Sequence, residues 1–394
     1  MNRDFDIEDL IGVFRSVLPS STRPVALHEP LFAGNEWAYV RECLDSGWVS
    51  SVGKYVDRFE GMLSDYTGVR RAVAVVNGTA ALHICLKLAG VGPDEEVLVP
   101  ALTFVATANA VTYCGAVPHF ADSEEKTLGM DPEKLSTYLA ESTELRQGVC
   151  YNRKTGRRIR AAVPMHTFGH PVDLDPLAEV CRRFNLRMIE DAAESIGSLY
   201  KGRHTGTWGF LSVLSFNGNK TLTTGGGGAI LTNDELLADR IKHITTTAKV
   251  PHPWEYRHDV IGYNYRMPNI NAALGCAQLE QLPDFIRRKR AFAEEYRKAF
   301  TAMKGLRFFT EPDFARSNYW LNAILLDRKN SGLLGSILEA TNSRGIMTRP
   351  AWTLMHRLPM FKDCPRMDLS AAEDLEKRLI NIPSSVCLSE GASA

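Results

Sequence analysis

Residues 215–228 read Ser215-Phe216-Asn217-Gly218-Asn219-Lys220-Thr221-Leu222-Thr223-Thr224-Gly225-Gly226-Gly227-Gly228. A single lysine stands between a polar loop and a glycine run. Apolar residues precede the stretch at Phe210, Leu211, Val213 and Leu214, and follow it at Ala229, Ile230 and Leu231. This pattern predicts strand, loop, strand. Four glycines let the backbone take positive φ and approach a ligand closely. A lysine packed there loses solvent, and desolvation favours the neutral, nucleophilic amine. Alone, the stretch equally fits an exposed lysine on a hairpin, so the rest of the chain has to decide.

Upstream, strands and helices alternate. Residues 71–76 form a β-rich apolar run that enters Asn77-Gly78-Thr79 and a helix to residue 89. Such a turn presents free backbone N–H groups at a helix start, a site for an anion such as phosphate. A plain cap by Thr79 gives the same pattern. Residues 96–99 read as a buried strand, followed by Thr103, Phe104 and a small-residue helix to 113. Further strands are expected at 116–120, at 160–165 ending on His166, and at 186–189 ending on Glu190-Asp191-Ala192-Ala193-Glu194-Ser195. Helices are expected at 132–139 and 174–184. Polar residues collect after the strand ends. This is an α/β pattern with a mostly parallel, doubly wound sheet, whose ligands sit beyond the carboxyl ends of the strands.

Outside this core the spacing predicts helices at 5–18, 35–47 and 56–66, with an extended stretch at 24–30. After residue 231 come a helix at 233–243, a polar loop to Asn264, and a long helix over 270–300 with Pro283 as its point of breakage. The remainder alternates strands at 319–325 and 345–347 with helices at 332–343 and 372–379. The expected division is an N-terminal helical extension (1–26), a large domain (27–280) and a small α+β domain (281–394).

The 394 residues balance 46 Lys plus Arg against 46 Asp plus Glu. That balance argues against a general nucleic-acid or membrane surface. No apolar run reaches transmembrane length, and the acids within the first twenty residues do not suit a signal peptide. Eight cysteines lie singly, with no C-x-x-C. This argues against a zinc site or a disulfide framework and fits a reducing cytoplasm. No metal ligands are expected.

Four strand-end elements converge in this reading: the Asn77-Gly78-Thr79 turn, Thr103-Phe104, Asp191-Ala192-Ala193-Glu194, and Ser215 with Lys220. An anion site, an aromatic face, a carboxylate and a buried lysine are what pyridoxal 5'-phosphate needs for its phosphate, ring, pyridine nitrogen and aldehyde. Taken singly, each residue has an ordinary reading as a cap, a core side chain or a solvated charge. Together, in four strand-end positions, they favour the cofactor.

The chain resembles the DegT/DnrJ/StrS aminotransferases, which act on nucleotide-linked keto sugars. The matching stretches are NGTAAL (77–82), PALTFVATANAV (100–111), EDAAES (190–195), SFNGNK (215–220) and GYNYRMPNINAALG (262–275). The resemblance implies the aspartate-aminotransferase-like fold, type I of the pyridoxal-phosphate enzymes, with a large mostly parallel-sheet domain and a small α+β C-terminal domain. It implies a homodimer with shared active sites. Lys220 would be the Schiff-base lysine and proton carrier. Asp191 would pair with the pyridinium nitrogen, and Phe104 and Ala193 would flank the ring. Glu194 would lie near the ring hydroxyl. Gly78, Thr79 and Ser215 would hold the phosphate, and Asn264 would reach it from the partner subunit. Gly226 departs from the glutamate that many members carry there. A related dehydratase branch has histidine at the lysine position, and Lys220 argues against that branch.

A finer resemblance is to UDP-sugar 4-aminotransferases of the LegC type, carried by residues 27–36, 45–60 and 348–361. It implies a UDP-linked 2-acetamido-2,6-dideoxy-4-keto-hexose as substrate, L-glutamate as amino donor, and a place in the biosynthesis of legionaminic acid or bacillosamine-type surface sugars. The enzymatic alternative is perosamine synthase, acting on GDP-4-keto-6-deoxymannose. Sugar-nucleotide contacts are expected from His166, Arg203, His204, Arg349, Trp352 and His356. A non-catalytic regulator on the same fold would lack Lys220 or Asp191. A nucleotide-binding dehydrogenase would need G-x-G-x-x-G, and the turn here is NGTAAL.

Overall fold

The computed structural model describes residues 5–20 and 22–392. Residues 1–4 and 21 of the expected extension, and 393–394 at the other end, lie outside the described residues. Helix α1 (Ile7–Val17) is capped by Asp6, whose Oδ1 accepts from the Glu8 amide at 2.9 Å. It is followed by α2 (Glu36–Ser46) and α3 (Lys54–Thr67). The alternation then begins with β1 (Arg71–Val75), α4 (Gly78–Leu88), β2 (Glu96–Pro100), α5 (Val105–Tyr113), β3 (Val117–Ala121) and α6 (Pro132–Ser142). A hairpin of β4 (Thr143–Arg146) and β5 (Val149–Asn152), not expected from the sequence, precedes β6 (Ile159–Ala162), α7 (Leu174–Arg183) and β7 (Arg187–Asp191). The short pair β8 (Leu199–Tyr200) and β9 (Arg203–His204) leads into β10 (Leu211–Ser215) and β11 (Gly228–Thr232), the two strands that flank the lysine loop.

Seven of these strands form one sheet in the order β1-β11-β10-β7-β6-β2-β3. The pairings from β10 across to β3 are parallel, and β11 runs antiparallel to both its neighbours. The sheet is thus mostly parallel, as the alternation predicts. Helices cover both faces, so its strands read as continuous apolar runs rather than alternating ones. Val97, Leu98 and Val99 of β2 and Val213 and Leu214 of β10 are all buried. Because β1, β2, β7 and β10 point the same way, Asn77, Ala101, Asp191 and Ser215 all emerge at one sheet edge.

After β11, α8 (Glu235–Thr245) and a long loop lead to α9 (Asn269–Phe300). Helix α9 is continuous through Pro283, contrary to the break expected there. Leu279, Leu282, Phe285 and Ile286 are all buried around the proline, and this packing outweighs the one hydrogen bond it cannot donate. Residue 280 falls within this helix. Its first half packs Ala272, Ala273 and Cys276 into a layer with Phe59 and Phe216. Its second half packs Phe292, Tyr296 and Phe300 against Leu10, Ile11 and Phe14 of α1 and against Ile324 and Ile380.

The C-terminal part contains β12 (Leu306–Phe308), β13 (Ala315–Arg316), β14 (Asn322–Leu326), α10 (Leu334–Ser343), β15 (Arg349–Pro350), α11 (Ser370–Glu376) and β16 (Leu379–Ile382). Strands β12-β14-β16-β15 form an antiparallel sheet. Two expectations change here. Residues 345–347 contribute only a single bridge, Ile346 to Val25, rather than a strand. The helix expected over 372–379 stops at Glu376, because Leu379-Ile380-Asn381-Ile382 finds a strand partner in β14. Local propensity yields to that pairing.

Candidate active site

The sheet edge opens into a cleft of about 340 Å³, lined among others by Gly78, Phe104, Asp191, Ser215, Lys220 and Trp352. The four strand-end elements do meet in one place.

The anion-binding corner comes from α4. Its N-cap is Asn77, not Thr79: the Asn77 Oδ1 accepts from the Ala80 amide at 2.8 Å. The Gly78 and Thr79 amides are therefore the helix-start donors left without an intrahelical acceptor. Ser215, at the end of β10, packs onto this turn. A Cβ on Gly78 would lie 3.0 Å from the Ser215 Cβ. Gly228 pairs with both Val75 and Ser215, and a Cβ there would lie 2.6 Å from the Asn77 carbonyl carbon. Glycine at 228 is thus imposed by close backbone approach. Gly226 is different, since a Cβ there would meet nothing within 4 Å. The fold does not require glycine at that departure from the family pattern.

Asp191 ends β7 and is buried. Its Oδ2 accepts from the Thr107 hydroxyl at 2.8 Å, and its Oδ1 from the Ala193 amide at 3.2 Å. Burial raises its carboxyl above the usual range, while the Thr107 and Ala193 donors and the Lys220 charge oppose the shift. Thr107 in turn contacts the Thr103 hydroxyl at 2.8 Å. The sequence reading missed Thr107, which stands in the first turn of α5, four residues after Thr103. Phe104, at the N-cap of α5, is 49 % exposed. It is therefore not a core phenylalanine; its ring borders the cleft.

Lys220 does not sit in an apolar slot. Its Nζ lies 3.0 Å from Glu194 Oε1, and 3.9 Å from the centroid of the Trp320 ring. Glu194 Oε2 accepts from the Phe168 amide at 2.9 Å. Burial pushes the Glu194 carboxyl up to about 7, against the opposing pull of the Lys220 charge. Phe168 holds φ at 56°, an uncommon value for a non-glycine residue and a form of strain that concentrates at functional sites. Trp320 was not foreseen, because it reaches the lysine from a loop a hundred residues further on and no local pattern marks it.

Of the expected sugar contacts, Trp352 borders the cleft. Its ring centroid is 6.2 Å from that of Phe104 and 4.8 Å from that of Phe168. The other five stand off the cleft, each engaged elsewhere. His166 is fully buried, with Nε2 3.2 Å from Glu190 Oε2 and Nδ1 accepting the Val172 amide at 3.2 Å. Glu190 also accepts the Gly206, Trp208 and Gly209 amides, so this pair braces the strand end beside Asp191. His204 accepts the Gly197 amide on Nε2 at 2.8 Å and donates from Nδ1 to the Thr205 carbonyl. Burial pushes its imidazole down to about 4. Arg203 is exposed, bonds the Thr207 carbonyl, and lies 4.7 Å from the Trp208 ring centroid. Arg349 donates to Asn342 Oδ1 at 2.9 Å, and His356 Nε2 lies 3.3 Å from Glu373 Oε1. Asn264 is exposed and accepts from Arg266 Nε at 3.0 Å. Trp254, Tyr256 and Ile261 on the preceding loop are also exposed, at 77, 83 and 86 %.

The chain matches the DegT/DnrJ/EryC1/StrS aminotransferase family over residues 31–393. It is 39 % identical over 365 residues to a GDP-perosamine synthase of Escherichia coli O157:H7, covering 93 % of this chain and 94 % of that one. It is 37 % identical over 369 residues to a GDP-perosamine synthase of Caulobacter vibrioides, again covering 93 % and 94 %. Among solved structures, the aminotransferase TlmJ of Streptoalloteichus hindustanus superposes with a TM-score of 0.83 at 29 % identity, over 93 % of this chain and 95 % of that one. The chain belongs to the DegT/DnrJ/EryC1/StrS family and has its type I fold. It is a pyridoxal phosphate-dependent sugar aminotransferase. The cleft fits that cofactor: it joins a helix start with free amides, a buried carboxylate, an exposed aromatic ring and an amine in one cavity. Both relatives are named as GDP-perosamine synthases, not as UDP-sugar 4-aminotransferases of the LegC type.

Proposed function

We propose that this member of the family transfers an amino group from L-glutamate to C4 of GDP-4-keto-6-deoxymannose, giving GDP-perosamine. The observation that carries the nucleotide-sugar reading is near full-length identity of 39 % and 37 % to two enzymes named for that product. The UDP-linked 2-acetamido sugar suggested by the finer resemblance has no such support.

Pyridoxal phosphate supplies an aldehyde that condenses with amines and a protonated ring that accepts electrons. In this reading the Gly78 and Thr79 amides and the Ser215 hydroxyl bind the phosphate. Asp191 keeps a proton on the pyridine nitrogen, and Thr107 holds Asp191 in place. Phe104 and Ala193 flank the ring, and Glu194 serves the ring hydroxyl. Lys220 Nζ, in the cleft beside Glu194, would hold the aldehyde and would serve as the base and acid at the substrate carbon. Trp352, with Phe104 and Phe168 beside it, offers the hexose an apolar platform. The proposed division at residue 280 assigns Lys220 to the large domain and Trp352 to the small one, so the cleft would lie between them.

The proposed active unit is a homodimer. The exposed Trp254, Tyr256 and Ile261 would be covered by a second copy, and Asn264 would reach the phosphate of the partner's site. The proposed location is the cytoplasm; among the described residues no helix is long and apolar enough to cross a membrane.

An absorption experiment tests the reading. The protein loaded with pyridoxal phosphate should lose its yellow band with L-glutamate and regain it with GDP-4-keto-6-deoxymannose. Recovery with the UDP-linked 2-acetamido sugar and not with the GDP sugar would overturn the nucleotide assignment. An unchanged spectrum with glutamate would overturn the proposed amino donor.

A further inference from the structure

Two separate parts of the chain face the Lys220 amine. Glu194 Oε1 lies 3.0 Å from Nζ, and the indole ring of Trp320 covers another side with its centroid at 3.9 Å. The Lys220 side chain is 12 % exposed and Trp320 only 4 %. Little water competes with the contact, and a cation over an indole face is attracted by the ring quadrupole.

The surrounding bonds hold this arrangement rigidly. Trp320 Nε1 donates to the Asn219 carbonyl at 2.7 Å, one residue before the lysine. Asn318 Nδ2 donates to the carbonyls of Glu194 and Ile196, both at 2.9 Å, and Asn318 Oδ1 accepts the Trp320 amide at 2.7 Å. Tyr319, between them, is held at φ 48°, in the left-handed region that a tyrosine enters only when its surroundings demand it. From α9, the buried Lys289 donates to the Trp320 carbonyl at 3.3 Å. One connected set of bonds therefore fixes Glu194 and Trp320 together around the amine. The two are not equivalent. Glu194, raised to about 7 by burial, gains and loses its charge near neutral pH. The indole face carries no titrating group, so its attraction is constant.

We propose that Trp320 is a positioning residue for Lys220: its indole face holds the ammonium in the cleft whenever that amine is not covalently engaged, whether Glu194 is charged or neutral. This rests on the reading of Lys220 as the working amine of the cleft.

The test is acetylation of Lys220 in the cofactor-free protein by acetic anhydride, followed by peptide mass spectrometry, for native protein, W320F and W320L. Thermal melts confirm folding, and W320M replaces W320L should the latter not fold. The neutral amine is the nucleophile, so loss of the ring face should speed Lys220 labelling at pH 8 by about 2- to 30-fold in W320L. W320F keeps a ring face and loses the Nε1 bond to Asn219; it should stay within about 2-fold of native. At pH 11, where lysine amines are largely neutral, the W320L advantage should shrink towards unity. Equal rates in W320L and native protein overturn the proposal. So does a W320F rate equal to that of W320L, which assigns the role to the Nε1 bond. An advantage that persists undiminished at pH 11 means mere shielding, and overturns it too. Failure of the aminotransfer reading would register separately, in the response of the loaded protein to glutamate.

Discussion

The Thr107 hydroxyl donates to Asp191 Oδ2 at 2.8 Å, tying the first turn of α5 to the end of β7. Among the described residues, the Asp191 carboxylate has one other donor, the Ala193 amide. A hydrogen bond to a charged group contributes about 1.5–3 kcal/mol. T107V keeps the shape and removes the donor, so it should weaken pyridoxal-phosphate affinity by about 10-fold or more. T107S should restore most of it. Spectrophotometric titration of the cofactor-free protein reads both, and unchanged affinity in T107V would refute the link.

Glu194 makes stability depend on pH. Burial places its carboxyl at about 7 in the folded cofactor-free protein, above the value of about 4.3 for an unfolded glutamate. The folded state therefore binds the extra proton. The stability this group contributes is fully present below about pH 4.3 and is lost as pH rises through about 7, at up to about 1.4 kcal/mol per pH unit. Urea unfolding of the cofactor-free protein across pH 4.5–7.5 should show this slope in the native chain and a flatter one in E194Q. Identical slopes would remove the assignment.

The glycine run divides into positions that the fold imposes and one that it does not. G226E should fold with stability within about 0.5 kcal/mol of native, because its side chain enters open space. G228A should cost about 1–3 kcal/mol, since its Cβ meets the Asn77 backbone at 2.6 Å. It should also weaken cofactor binding through the displaced Gly78 turn. Denaturant melts and cofactor titrations of the two variants decide the matter; a G226E protein as damaged as G228A contradicts it.

The proposed shared active sites would allow complementation. K220A and N264A should each be impaired alone. In a mixed dimer, one site draws its lysine from the N264A chain and its asparagine from the K220A chain, and is fully native. Co-refolding the two variants should give activity well above the sum of the separate proteins. An additive result would mean that each chain builds its own site.

Much of the fold was legible because a parallel sheet covered on both faces needs continuous apolar strands, and residues 96–99 and 186–189 have them. What was legible of the candidate site was the convergence of Lys220, Asp191, Phe104 and the Asn77-Gly78-Thr79 turn, all at or just after strand ends, on one cleft. It was not legible for the arginines and histidines proposed as sugar contacts. His166, His204 and Arg203 look available in a sequence. In the folded chain they satisfy Glu190, the Gly197 amide and the Thr207 carbonyl.

By itself, the sequence determined the strand–helix alternation of the large sheet and the family, because these follow from local periodicity and from short motifs; it set the end of the strand expected at 160–165 too late, since β6 stops at Ala162. The partners of Lys220 were decided by tertiary structure alone. Glu194 reaches the amine from the turn that follows β7, and Trp320 from a loop that Asn318 binds to the Glu194 carbonyl. Contacts between segments so far apart along the chain leave no local pattern, because they arise only when the C-terminal residues fold back over the sheet edge.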